Sequence, residues 1–562
     1  MSGAQLLLRK RAAVAVAGVF QTHSRASCRN RTDQRVGAVC YMTWDYIIVG
    51  AGSAGCAVAH ELAEAGKTVL IIEAGGEDRS PFIKVAAGQV RACADHDWGY
   101  RSQPDPTRGG ASESWIRGRV LGGSSSINGT MYTRGVPADF DRWNIPGWSW
   151  RDVLPVFRKF ERSDQPGPLR GQKGQLHIRT VRHPHAVTDA FIASARAVGM
   201  PFNPDYNADS QDGVGYAQLT QRGRFRCSAA DAFLKPVLGK RNFKLMLNSM
   251  VERVEIENGR AVAVCFTQGG KGRRETGRDI VVCAGAINSP KLLLLSGIGD
   301  AEQLRRHGVQ MQLDLPGVGR NLKDQPMVSL LYRSNIPTYN PTEGWYQKLA
   351  IAASFLSNGE GPISNLFEGA AFVKSSPTEI TADLQVIFLA FGYGKGANGE
   401  FALTPYPAMM ALIMASYPRS SGWVSLASDD AKDPPLIECR LLQAQADVDA
   451  LVGGIGEVRK IMSTEPIASL VVEEVMPGRV VESASAVSEH VRAHAGISYH
   501  PIGTCRMGFG PEAVVGPDLR VHGTENLWVA DASIIPDHLS ANLNAVCMLV
   551  GTKLGQQLAA RG

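Results

Sequence analysis

The chain has no Cys-x-x-Cys pair and no group of histidines at metal-ligand spacing; its ten cysteines lie at 28, 40, 56, 93, 227, 265, 283, 439, 505 and 547. A zinc site and a disulfide scaffold are both unsupported. Cysteines inside apolar runs, such as Cys265 in AVAVCF, Cys283 in IVVCAG and Cys547 in AVCMLV, read as small buried hydrophobes, which suits a reducing compartment. Uninterrupted apolar stretches fall far short of the roughly 18 residues a spanning helix needs, so any membrane contact is expected to be peripheral. A charge excess is also missing. Of 59 Lys+Arg and 53 Asp+Glu, seven bases and one acid, Asp33, fall in residues 1 to 42, which leaves a neutral body. Without a basic stripe there is no electrostatic footprint for nucleic acid. At 562 residues, 44% apolar and 20% charged, the chain reads as soluble and globular, with two or more domains or one core interrupted by another.

Residues 1–42 form a leader that is set apart from fold reasoning. Its first 32 residues hold no Asp or Glu, six bases and one short apolar run, Ala12 to Phe20, which fits a transit peptide or a poor secretory signal. Met42 opens the string MTWDYIIVGAG, so an unstructured extension or a start-site artefact is the competing reading. The expected location is cytoplasmic, with membrane association open, or mitochondrial if the leader is a transit peptide.

From Asp45 the pattern is strand, turn, helix, strand. Tyr46-Ile47-Ile48-Val49 is a β-branched run expected to be a buried parallel strand, Gly50-Ala51-Gly52-Ser53-Ala54-Gly55 is a GxGxxG turn, and an amphipathic stretch from Ala57 to Glu64 stops at Gly66. Lys67 to Glu73 then gives a second strand ending on an acid. Gly50 permits the tight turn, Gly52 lets backbone approach a pyrophosphate, Gly55 lets helix and strand pack closely, and the helix N-terminus offers N–H groups to phosphate. Glu73 is placed to accept hydrogen bonds from a ribose diol. An acid there argues against a 2′-phosphate and leaves NAD and FAD open.

Further blocks follow: RGRVLGGSSSINGTMYTRG (117–135), GAINSPKLLLLSGIG (285–299), SYHPIGTCRMG (498–508) and NLWVADASIIPDHLSANLNAVCMLVGTK (526–553). Together with the turn they resemble the glucose-methanol-choline (GMC) family of FAD-dependent oxidoreductases, from about residue 43 to the end. The resemblance implies an α/β protein: a discontinuous Rossmann-like FAD-binding domain over 43–150, 220–315 and 500–562, and a substrate domain of antiparallel sheet and helices over 151–219 and 316–499. It implies flavin contacts at Gly50, Gly52, Ser53, Ala54 and Gly55 in the turn, and at Glu73 and Ala74 after the second strand. Arg119, Leu121, Gly122, Gly123, Ser124, Asn128 and Gly129 are implied in the glycine-rich block, where backbone can lie against a planar ring, with Val251, Asp531, Ala532, Asn544 and Ala545 elsewhere. Some members carry a histidine at the position of Ile127 that bonds covalently to flavin; isoleucine cannot, so FAD is expected to be non-covalent.

By the same resemblance His500 is the catalytic histidine and Asn544 the second catalytic position, filled by His or Asn across members. A histidine suits uptake of a hydroxyl proton near neutrality, while an asparagine amide can hold the oxygen without titrating. Ser289 and Pro290 are expected to open an apolar helix as N-cap and first-turn proline. His60, His177, His183 and His185 read as structural, and His494 and His538 lie near the site without a motif position. Glu368 sits where choline-oxidising members place a glutamate facing a quaternary ammonium, but members acting on ketoses and other alcohols share similar text, including that near Tyr206-Asn207 and Arg226-Cys227-Ser228. The expected partners are a small-molecule alcohol and an electron acceptor, a quinone or other carrier or O₂. The resemblance implies an FAD-dependent alcohol dehydrogenase that oxidises a CH–OH group to an aldehyde or ketone and passes the electrons to a non-NAD acceptor; a redox-neutral hydroxynitrile lyase and a non-catalytic flavin-binding protein are the competing classes.

Overall fold

A computed structural model describes residues 43–561, apart from 341–352, 354, 358, 360 and 396–400; the leader lies outside the described residues. The β-branched run after Asp45 forms the strand Trp44–Val49, at the middle of a seven-stranded sheet. It pairs in parallel with Val69–Ile72 on one side and Lys271–Val282 on the other, and Phe243–Met246 and Leu527–Val529 extend the parallel part. Ile47, Ile48, Leu70, Ile71, Ile280 and Val281 are fully enclosed, because a parallel sheet is covered on both faces. Lys271–Val282 changes partners along its length: its second half joins Trp44–Val49, and its first half runs antiparallel to Arg260–Gln268, which pairs with Ser249–Glu257.

A second seven-stranded sheet is antiparallel. Its order is Val471–Met476, Pro326–Ser334, Ala408–Ala415, Leu384–Leu389, Gly369–Val373 and Gly213–Tyr216, with Gly496–Ile497 added beside Pro326–Ser334. All strands of the first sheet come from 44–72, 243–282 and 527–529, and all those of the second from 213–216 and 326–497. The strand period of two divides the second sheet's side chains between two apolar clusters. Leu384, Val386, Phe388, Met409, Ala411 and Ile413 pack with the helices Ala186–Ala197 and Gln445–Met462, whereas Ile387, Leu389, Met410, Leu412 and Met414 face the other way, with Met131 and Leu331. That second face roofs the cavity described below. Among the described residues no helix is long and apolar enough to cross a membrane.

The expected Ser289–Pro290 helix start is corrected. The helix runs Gly285–Leu295, and Pro290 lies inside it. An interior proline leaves the carbonyl four residues earlier without its N–H; here Thr504 Oγ1 donates to Ala286 O at 2.6 Å and fills that vacancy. Ser289 does not cap the helix, since its hydroxyl donates to Asp531 Oδ2 at 2.5 Å.

Two glycines set the chain's closest approaches at the turn. Gly50 has φ +99, and a Cβ on it would lie 2.5 Å from Cys283 O; one on Gly55 would lie 2.0 Å from Gly50 O. Helix Ser53–Glu64 packs along the C-terminal helix Asn544–Ala559, where a Cβ on Gly551 would fall 2.2 Å from Ala54 O. Because that obstacle is backbone, overpacking of about 1–3 kcal/mol should outweigh the helix-propensity gain of up to about 1 kcal/mol. Gly551→Ala should therefore lower the thermal midpoint; a midpoint equal to or above wild type would contradict this packing.

Candidate active site

A cavity of about 1370 Å³ extends from the glycine-rich turn to the face of the antiparallel sheet. It exceeds the roughly 300–1,000 Å³ of a single small-ligand site. At one end lie Gly50, Gly52, Ser53 and Ala54, with the start of helix Ser53–Glu64. A Cβ on Gly52 would meet nothing within 4 Å, and the helix has neither a side-chain cap nor an acid in its first turn. Its leading N–H groups are thus open to an anionic phosphate. Glu73, 5% exposed, lines the same end; its carboxylate accepts from Ala51 N and Gly75 N, each at 2.8 Å, and burial raises its pKa against those donors. Open backbone, an uncapped helix and an acceptor at the strand end fit a dinucleotide pyrophosphate and ribose, so the residues present fit FAD.

Ala74, Gly123, Ser124, Asn128, Gly129, Val251, Asp531 and Ala532 also line the cavity. Asp531 has its carboxylate occupied by protein donors, Gly285 N at 2.8 Å, Ser289 Oγ and Ser533 N at 2.8 Å, and so fixes the cavity wall. Several expected contacts stand one layer back. Leu121 and Ala545 are buried in the core, Gly55 packs on Gly50, and Gly122 donates to Ala51 O at 2.9 Å. Arg119 stacks its guanidinium over Trp98, 4.9 Å from the ring centroid. Arg226, in the text shared with other alcohol-oxidising members, is buried and donates to Asn128 Oδ1 at 2.6 Å, bracing the glycine-rich block from behind.

At the other end His500 faces the cavity. Tyr499 before it has φ +64, a left-handed conformation that costs on the order of 1–3 kcal/mol in a non-glycine residue. The turn is held by Asp324, whose carboxylate accepts from His500 N at 3.0 and 3.1 Å and from Ser498 Oγ at 3.0 Å. The ring's Nδ1 lies 2.8 Å from Gln325 Oε1 and 3.0 Å from Ser498 Oγ. Its Nε2 lies 3.3 Å from Asn542 Nδ2, while Asn542 Oδ1 accepts from Thr133 Oγ1 at 2.9 Å and Gln385 Nε2 at 3.1 Å. Burial, then the neighbouring His538 and Arg117, push the His500 pKa down to about 3, so the imidazole is neutral. Burial also lifts Asp324 to about 6.

The asparagine at the imidazole is Asn542, and the assignment of the second position to Asn544 is corrected. Asn544 is the first residue of the C-terminal helix, and its Oδ1 accepts from Ser53 Oγ at 2.8 Å, tying together two helix starts at the cavity wall. The turn just before the helix leaves Asn542 free to reach His500. Asn542 and Asn544 are two residues apart in similar text, and the sequence held no signal for which one the turn presents. Nor did it mark Gln325, Thr133 or Gln385, which come from distant parts of the chain. His538 is fully buried behind His500, bonded through Nε2 to His500 O at 3.0 Å, and supports its backbone. His60 bonds Phe233 O, and His185 caps Ala186–Ala197.

Glu368 is corrected as well. It is 1% exposed and does not line the cavity. Its carboxylate accepts from His185 N at 2.8 Å, Thr188 Oγ1 at 2.9 Å and Tyr339 OH at 2.9 Å, so it pins the start of helix Ala186–Ala197, where a negative charge is favoured. Tyr339 stands between it and the cavity, whose wall there is Met327, Phe367, Ile387, Leu389, Phe391 and Leu412.

Family models of the GMC oxidoreductase N-terminal and C-terminal regions match residues 44–327 and 418–551. The chain is 37% identical over 541 residues to an oxygen-dependent choline dehydrogenase of Rhizobium etli, covering 92% of this chain and 97% of that protein. It is also 37% identical over 543 residues to one of Rhizobium meliloti, with the same coverage. Among solved structures it resembles pyridoxine 4-oxidase from Mesorbium loti at 29% identity and a TM-score of 0.84, covering 92% of this chain and 99% of that one. An FAD-dependent oxidoreductase from Chaetomium thermophilum, at 23% identity, TM-score 0.83 and 91% and 98% coverage, shares the fold. With both family regions matched in order around a cavity whose turn and strand end suit the dinucleotide, the chain belongs to the GMC oxidoreductases, a family of FAD flavoproteins.

Proposed function

We propose that the chain oxidises the CH–OH group of a small alcohol, with His500 Nε2 accepting the hydroxyl proton and Asn542 Nδ2 donating a hydrogen bond to the oxygen. The observation that carries this reading is the pair itself: an acceptor nitrogen and a donor amide 3.3 Å apart, facing the cavity that also holds the dinucleotide turn. Bound FAD supplies a two-electron acceptor for the hydride that leaves the carbinol carbon. A neutral imidazole is in the protonation state a base requires. Once the proton arrives, Asp324, one hydroxyl away through Ser498, opposes the imidazolium charge. Asn542 is held with its amide N–H toward the substrate oxygen, where negative charge develops as the proton leaves. Apolar side chains of the antiparallel sheet exclude water from the rest of the chamber.

The flavin is held non-covalently: Ile127, at the position where some members carry a linking histidine, packs with Ile83, Ala92 and Val120. Electrons leave to an acceptor other than NAD, and relatives named oxygen-dependent make O₂ an acceptor to assay beside a quinone. Choline is the second reading for the substrate. It is favoured by those relatives and by Phe367, Phe391 and Tyr393 on the chamber wall, since aromatic faces attract a quaternary ammonium. Glu368 plays no part in it.

Anaerobic mixing of the holoprotein with a panel of choline, primary alcohols, polyols and a cyanohydrin tests the reaction. Loss of the oxidised-flavin absorbance with an alcohol supports it; aldehyde release from the cyanohydrin without that loss supports a lyase. His500→Ala should slow the absorbance loss by about 10²–10⁴-fold and Asn542→Ala by about 10²-fold, with flavin retained in both; near-normal rates would overturn the assignment. Glu368→Gln should leave the preference between choline and neutral alcohols unchanged and lower the thermal midpoint, by about 1–3 kcal/mol of buried hydrogen bonding; a collapse of choline preference with unaltered stability would restore a cation-binding role. Acid precipitation should leave the yellow colour in the supernatant, whereas colour in the pellet means a covalent link.

A further inference from the structure

Which nitrogen of a neutral imidazole carries the proton is decided by what each nitrogen faces. Gln325 is fully buried, and its Nε2 donates to Leu539 O at 3.0 Å and Ser416 O at 3.3 Å. Turning the amide over would set its oxygen against those two carbonyl oxygens. The orientation is therefore fixed, and Oε1 is the atom 2.8 Å from His500 Nδ1. A carbonyl oxygen only accepts. The second neighbour of Nδ1, Ser498 Oγ at 3.0 Å, spends its hydroxyl hydrogen on Asp324 Oδ1 at 3.0 Å, so it too accepts. On the opposite side Asn542 Oδ1 is taken up by Thr133 and Gln385, which leaves an N–H of Asn542 facing His500 Nε2.

We infer that Gln325 is a positioning residue whose side-chain carbonyl selects the Nδ1–H tautomer of His500, so that Nε2 presents a lone pair to the substrate hydroxyl. The inference rests on the reading of His500 as the proton acceptor. In the opposite tautomer Nε2 would carry a hydrogen, meet the Asn542 amide donor to donor and have no capacity for a proton. Asp324 and Gln325 are consecutive, so one short segment after Leu322 sets both the backbone of His500, through the carboxylate, and its ring, through the amide. The charged and titratable groups around the ring are Asp324, Arg117, His538 and Tyr499.

Three variants of the holoenzyme test this. Gln325→Leu removes the acceptor and frees Ser498 to turn and donate to Nδ1. Flavin should stay bound and half-saturating alcohol should change little, while the anaerobic loss of oxidised-flavin absorbance at saturation slows about 10²-fold. In protein labelled with ¹⁵N only at histidine, the His500 ring signals should lose their single Nδ1-protonated pattern. Gln325→Glu keeps an acceptor toward Nδ1 and adds negative charge, which raises the His500 pKa; its second oxygen faces the Leu539 and Ser416 carbonyls and costs stability, so the variant is assayed at a temperature where it holds flavin. It should recover most of the rate at alkaline pH and add an acidic limb, absent from wild type, on which the rate falls as pH falls because the base is protonated. The wild-type profile carries whatever Asp324 contributes. A Gln325→Leu rate within about threefold of wild type, or an unchanged ¹⁵N pattern, overturns the inference; so does a Gln325→Glu profile without the added limb, which decides the matter if the leucine variant fails to hold flavin. His500→Asn run in parallel separates the two levels. If it reacts near the wild-type rate, the base assignment itself fails; if it is slow while both Gln325 variants behave as wild type, only the role of Gln325 fails.

Discussion

A neutral imidazole enclosed by protein can take up a proton only if one nitrogen holds the hydrogen and the other keeps its lone pair, and the structure around the cavity is organised by that constraint. Leaving polar atoms unpartnered away from water costs on the order of 1–3 kcal/mol each. Here the donors and acceptors form a one-way chain: Leu539 and Ser416 carbonyls take the Gln325 amide hydrogens, the Gln325 carbonyl faces Nδ1, and Asn542 brings a donor to Nε2. Low local dielectric strengthens these bonds and penalises any arrangement that reverses one of them. The same enclosure keeps the ring uncharged, and the strained Tyr499 is held because Asp324 binds the next residue's N–H.

The two sheets place the two ends of this chemistry. The parallel sheet needs a sharp turn after Val49, and that turn leaves backbone and a helix start open toward phosphate. The antiparallel sheet supplies a flat apolar wall because alternate residues of Leu384–Leu389 and Ala408–Ala415 point away from the helices behind. His500 lies near the junction, next to the short strand Gly496–Ile497 that joins the second sheet, and Asn542 lies just before the helix that packs along Ser53–Glu64. The imidazole and the dinucleotide turn are thus positioned from different sheets.

Much of this was legible in the residues. The run Tyr46–Val49, the GxGxxG turn and the second strand ending at Glu73 follow from local pattern, since burial on both faces and glycine-dependent turns leave strong marks in short windows. The family likewise followed from blocks of text kept in order. Helix starts were less legible: Pro290 looked like a first-turn proline because the hydroxyl that compensates its missing N–H belongs to Thr504, over two hundred residues away. Glu368 looked available to a ligand because its three donors come from His185, Thr188 and Tyr339, none adjacent to it in sequence.

The sequence by itself determined the α/β class, the flavoprotein family, the dinucleotide turn and the presence of a histidine at position 500, because each is written in contiguous residues whose conformation is set locally. Only the tertiary structure decided that Asn542 rather than Asn544 meets the imidazole, that Glu368 braces a helix, and that the Gln325 side-chain carbonyl faces Nδ1. Those outcomes depend on where a side chain points and which distant carbonyls and hydroxyls surround it. A hydrogen bond is directional over about 3 Å, and a shift of two residues along a turn moves a side chain farther than that.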